Sequence, residues 1–112
     1  MLAIRVAAEA EAEIAAELAY RTGQPNTDPA QWFNELERTL IQIRESPNRF
    51  SPYPESSADL FGVDFREAYF GAGRRRTHRV IFQVLDGLVV VMRVRHMSQR
   101  PLDLDELRSQ SD

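Results

Sequence analysis

Asp86-Gly87, set between the apolar runs RTHRVIFQVL (76–85) and LVVVMRVRH (88–96), constrains this chain more than any other feature. Runs of β-branched and aromatic residues on either side of an Asp-Gly dipeptide specify a two-residue β-hairpin. That turn opposes Leu85 to Leu88 and, followed outward, Val80 to Arg93, Arg79 to Val94 and Thr77 to His96. Directly opposed residues share a face of the sheet. One face then carries Val80, Phe82, Val84, Val89 and Val91, with His78, Arg93 and Arg95 toward its end. The other carries Arg79, Ile81, Gln83, Val90, Met92, Val94 and His96. The valine-rich face is the better core. The second is expected to be open, with Arg79 and His96 as near neighbours, and a bulge would exchange the faces along one strand.

The remaining elements follow from local signals. Leu2 to Val6 alternates and reads as a short strand. Ala7 to Arg21 places Ala7, Ala10, Ile14 and Leu18 at helical spacing, and Gly23-Gln24-Pro25-Asn26 ends that helix. Asp28 is a suitable N-cap for a second helix, with Pro29 at its first position and Gln31 where a capping box reaches back. Trp32, Phe33, Leu36, Leu40 and Ile43 mark its apolar stripe, and Ser46-Pro47 stops it. Residues 47–62 hold three prolines and read as an irregular surface loop. Strands are expected over about 63–70, 76–85 and 88–96, with Gly71-Ala72-Gly73 as a hinge or turn. Residues 101–112 are polar, a helical turn or loose tail after the domain over 1–100. The order β-α-α-β-β-β predicts an α+β fold, an antiparallel sheet with two N-terminal helices packed on one face.

Composition narrows the function classes. A chain of 112 residues is one domain. With no cysteine it has no disulfide framework and no thiolate metal site, which suits the cytoplasm. No apolar run has the ~20 residues of a membrane span. His78 and His96 alone do not suggest zinc, so neither a metal nor another cofactor is expected.

The chain has fourteen arginines and no lysine, and its formal charge is −3. That charge is unevenly placed. Residues 1–65 carry five arginines against eleven acids, a net of −6, whereas residues 66–100 carry eight arginines against Glu67 and Asp86, a net of +6. A local anion-binding face is compatible with the acidic total. A guanidinium beside an imidazole suits metal-free RNA cleavage, in which a base takes the 2′-OH proton and a cation holds the phosphorane charge. The competing reading is a strand-end histidine and a solvated arginine with no joint task. Arg74-Arg75-Arg76 reads either as a solvated loop tip or as a contact for phosphate or an acidic partner. Arg93 and Arg95 are expected to pair with helix glutamates. Trp32, Phe33 and Phe82 are expected to be packing residues.

The element order, the Trp32-containing helix ending in Ser46-Pro47, Pro54-Glu55, then FRE, HRVIFQV and LVVVMRVRH followed by Arg100, resemble the RelE/ParE superfamily. These are small toxins of type II toxin–antitoxin (plasmid-stabilisation) modules, and the resemblance covers residues 3 to 100. It implies a RelE/ParE-like fold, a cognate antitoxin as partner, and one of two activities. RelE-like members cut mRNA on the ribosome without a metal. By that resemblance Arg66 and Arg79 would hold the scissile phosphate and His96 would transfer a proton. ParE-like members bind DNA gyrase and are not nucleases. In either case Arg74, Arg75, Arg76 and Arg100 are the expected contacts to nucleic acid or a protein partner. The chain departs from the nuclease pattern at Met97, where a tyrosine often follows the histidine, and at Ala68, where a second cation is usual. A third reading is a catalytically inactive member that only binds its antitoxin and assists repression.

Overall fold

The computed structural model of the chain describes residues 2–53 and 64–110. β1 (Ala3–Val6), α1 (Ala8–Thr22) and α2 (Pro29–Glu45) come first, followed by one 3₁₀ turn (Pro47–Arg49) and the two-residue strand β2 (Ser51–Pro52). β3 (Phe65–Phe70), β4 (His78–Leu85) and β5 (Leu88–His96) form the meander, and α3 (Leu104–Arg108) follows. The expected irregular loop thus holds a turn and an edge strand in its first part. Its remainder, 54–62, with Pro54-Glu55 and the first residue of the strand expected from 63, lies outside the described residues.

The helix signals act as read. The Asp28 carboxylate accepts the Gln31 N–H at 3.2 Å, and Pro29 takes the first helical position, where its missing N–H has no partner to lose. α1 has no side-chain cap; Glu9 and Glu11 in its first turn and Arg21 in its last complement the helix dipole.

Five strands form one sheet in the order β1-β5-β4-β3-β2. The meander strands and β2 pair antiparallel, but β1 lies parallel to β5, with Val6 beside Val91. The sheet is therefore mostly antiparallel rather than wholly so. β1 reaches β5 through nearly the whole chain, so no hairpin dictates its direction.

α1 and α2 pack on one face over Trp32, Leu36, Ile43, Ala68, Phe70, Val80, Phe82, Val89 and Val91. This is the expected core face. The opposite face departs from expectation: it is largely covered. Tyr53, Phe65, Ile81, Val90 and Met92 pack there against Leu102 and Leu107, which the chain beyond β5 lays across the sheet. The Tyr53 hydroxyl donates to the Leu102 carbonyl at 2.8 Å, and a full capping box between Asp103 and Glu106 starts α3. Phe33, expected in the core, is instead 36% exposed, because α2 turns Trp32 and Leu36 inward and leaves Phe33 beside α1.

The hairpin turn forms at Asp86-Gly87, where Gly87 takes φ 71°. From it Leu85 pairs with Leu88, Val84 with Val89, Gln83 with Val90 and Phe82 with Val91, all in the expected register. A β-bulge then shifts the pairing by one. Ile81 opposes Arg93, Val80 opposes Val94, Arg79 opposes Arg95 and His78 opposes His96. The extra residue on β5 is Met92. The expected neighbours Arg79 and His96 are therefore not paired, and Val94 joins the helix-side core. The cause lies at the sheet edge. β1 leaves β5 after Val91, and Glu13 of α1 takes its place, accepting the Val94 N–H at 2.9 Å and binding Arg93 through both carboxylate oxygens at 3.0 and 2.7 Å.

Candidate functional site

The β3–β4 register, which the glycine-rich connection leaves open in the sequence, pairs Arg66 with Phe82 and Tyr69 with Arg79. Arg66 thus stands on the same face as Phe82, the helix side, while Arg79 stands on the opposite face. Arg66 is already held in place: Nε donates to Asp64 Oδ1 at 2.8 Å, and Nη1 donates to the Phe50 carbonyl at 2.7 Å. It ties the 3₁₀ turn to β3. Arg79 lies over the Tyr69 ring and reaches Glu67 at 3.5 Å; the other oxygen of Glu67 accepts the Tyr69 hydroxyl. That hydrogen bond to a carboxylate, with burial, raises the Tyr69 pKa above the ordinary 10.0 and keeps the phenol protonated.

His96 lies elsewhere, at the end of β5 opposite His78, their rings 5.0 Å apart in an edge-on contact. The two histidines and α1 enclose a pocket of about 230 Å³ lined by Glu13, Glu17, Tyr20, Trp32 and Gln99. His78 is buried. Its Nδ1 accepts from the Trp32 indole N–H at 3.4 Å and lies 2.8 Å from the Thr77 hydroxyl, and its Nε2 faces Glu17 Oε1 at 2.9 Å. Because indole nitrogen can only donate, the neutral ring carries its proton on Nε2 and gives it to Glu17. Burial lowers the His78 pKa below 6.5 against the opposing pull of Glu17, with His96 and Arg21 adding to the depression. Glu17 is pushed up by burial but held below its ordinary 4.5 by hydrogen bonds from His78 and Arg21. His96 is exposed, and its Nδ1 accepts the Ser98 N–H at 3.0 Å.

The docking candidates also divide. Arg100 is exposed but grips Glu106 through two hydrogen bonds of 2.8 and 2.9 Å, holding that carboxyl at a pKa of about 2. Its carbonyl accepts from Arg95, which does not pair with a helix glutamate; Arg93, paired with Glu13, does. Arg74, Arg75 and Arg76 all project from the β3–β4 connection into solvent.

Nothing local marks Glu17, 61 residues from His78, as its partner, and Arg49 shows in the sequence only as one charge among many. Among the described residues, no group of three or more His, Asp or Glu side chains is placed to hold a metal ion, and no helix is long and apolar enough to cross a membrane.

Two early helices over one face of a mostly antiparallel meander, with a parallel first strand, define a small α+β fold consistent with RelE/ParE-like proteins. A family model described as the ParE toxin of type II toxin-antitoxin system, parDE, matches residues 4–101, and the chain belongs to that family. It is therefore the toxin of such a pair, and an antitoxin is its implied partner. No curated protein and no solved structure matches the chain.

Proposed function

We propose that this toxin arrests growth by binding a protein target, DNA gyrase, and does not cut RNA. The observation that carries this reading is the dispersal of Arg66, Arg79 and His96. Arg66 and Arg79 stand on opposite faces of the sheet, each beside a carboxylate, and His96 shares its surroundings with His78. Phosphodiester cleavage requires an acid, a base and a cation around one phosphorus. Around His78 and His96 the pocket walls instead carry Glu13 and Glu17, whose charge opposes a developing phosphorane. The covered second face points the same way, since α3 and Leu102 occupy much of the surface that a ribosome-bound mRNA would need.

Induction of the chain in growing cells, with mapping of mRNA ends and of gyrase–DNA breaks in parallel, tests the proposal. The expected outcome is trapped gyrase–DNA breaks with intact mRNA. Codon-phased mRNA cuts that disappear with Arg79→Ala or His96→Ala would overturn it. Unchanged growth on induction would also overturn it and leave a module that binds its antitoxin only.

A further inference from the structure

Ten of the fourteen arginines fall into two groups. Arg21, Arg38, Arg66, Arg79, Arg93 and Arg100 each lie within 4.0 Å of a carboxylate oxygen. Arg49, Arg74, Arg75 and Arg76 are exposed and have no such partner among the described residues. The chain has seventeen acids to fourteen arginines, so a shortage of carboxylates does not explain why these four have no counter-charge among the described residues. Two of them meet in space. Arg49, from the 3₁₀ turn, and Arg76, from the β3–β4 connection, line a pocket of about 360 Å³ whose walls include Gln42, Ser51, Phe50 and Tyr69. Among the described residues the one carboxylate there, Glu67, is occupied by the Tyr69 hydroxyl and Arg79.

The loop that presents these cations is built, not loose. Gly71 is buried, and a Cβ placed on it would overlap the carbonyl oxygen of Arg75, so the chain folds back on the glycine. The Thr77 N–H donates to the Phe70 carbonyl at 3.0 Å and closes the base of the loop. The loop that carries Arg74 to Arg76 is thus tied at its base and at Arg75, which lowers the entropic cost of binding.

We propose that this pocket and the arginine loop bind the phosphate backbone of a nucleic-acid strand. Guanidinium forks match phosphate oxygens, and the Gln42 amide and Ser51 hydroxyl add neutral donors. A single phosphate would need only Arg49 and Arg76. Arg74 and Arg75, exposed on the same loop as Arg76, suit a ligand whose anions repeat. The proposal holds whether or not gyrase is the toxin's target.

The test measures binding of the full chain to a fluorescent single-stranded oligonucleotide across a salt series from about 50 to about 200 mM. Parallel arms use RNA of the same sequence, duplex DNA, a mononucleotide, poly-glutamate and anionic vesicles. The expected result is strand binding that weakens with salt. Each neutralised phosphate on a single strand contributes a slope of about 0.7 in log K against log salt, so the triple variant Arg74→Gln/Arg75→Gln/Arg76→Gln should lower the slope by about 2. Arg49→Gln should weaken binding several-fold. Thermal unfolding of the Arg49 and triple variants should match the parent, since these side chains lie within 4.0 Å of no carboxylate among the described residues. Four results would overturn the proposal: no strand binding, binding insensitive to the triple variant, equal affinity for the mononucleotide, or preference for poly-glutamate or vesicles.

Discussion

His78 shows how a single side chain can serve the fold rather than the chemistry its type suggests. It joins three elements, meeting Trp32 of α2 and Glu17 of α1 from the first position of β4. Its depressed pKa has a consequence for stability. Above the ordinary value of 6.5 the ring is neutral in both folded and unfolded chains and contributes nothing to the pH dependence. Below it the unfolded chain takes up a proton that the folded chain resists, so stability falls with pH until the folded value is passed. Glu17 acts in the same direction further down, since its lowered pKa makes stability fall as pH drops below 4.5. Denaturant midpoints measured from pH 7.5 to pH 5 should therefore decline. His78→Gln, which cannot titrate, should flatten that decline, although the variant starts from a lower stability.

At the scale of elements, the bulge in β5 decides which residues meet. Side chains alternate with a period of two, so one inserted residue moves every later side chain to the other face. Met92 is that residue, and Glu13 holds the result by accepting the Val94 N–H and clasping Arg93. Removing the carboxylate leaves a partly buried main-chain N–H and a guanidinium without partners. Glu13→Ala should thus cost about 2 kcal/mol in equilibrium unfolding. Glu13→Gln, which keeps an acceptor for Val94, should recover part of that loss. If both variants unfold like the parent, the bulge is held by the strands alone.

For the molecule as a whole, the sheet is a central layer with a core on each side. The helix-side core is the larger, and the second is closed by Leu102 and Leu107 on a segment pinned at several points. Arg100 holds Glu106, Tyr53 holds the Leu102 carbonyl, and Gln110 donates to the Met92 carbonyl at 2.7 Å. Leu107 is 1% exposed, so Leu107→Ala should destabilise the protein by about 3 kcal/mol, with cooperative unfolding retained. A loss near zero would mean that α3 is only loosely attached and that the second face is open in solution.

Much of this architecture is legible along the chain because its causes are local. Asp28-Pro29 sets the start of α2, Asp86-Gly87 sets the hairpin and its first four pairs, and the alternation of Val80, Phe82 and Val84 marks the core face. The order of those elements also carries the likeness to the toxin family that the match over residues 4–101 bears out. What escaped local reading depends on partners far away in sequence. The bulge needs Glu13, 81 residues from Val94; the environment of His78 needs Glu17; and the cover over the second face needs Leu102 against Tyr53. The sequence by itself determined the elements, their order and the family. Tertiary structure alone decided which face each arginine and histidine occupies, because a two-residue period has no tolerance for one extra residue, and only packing at the sheet edge says where that residue goes.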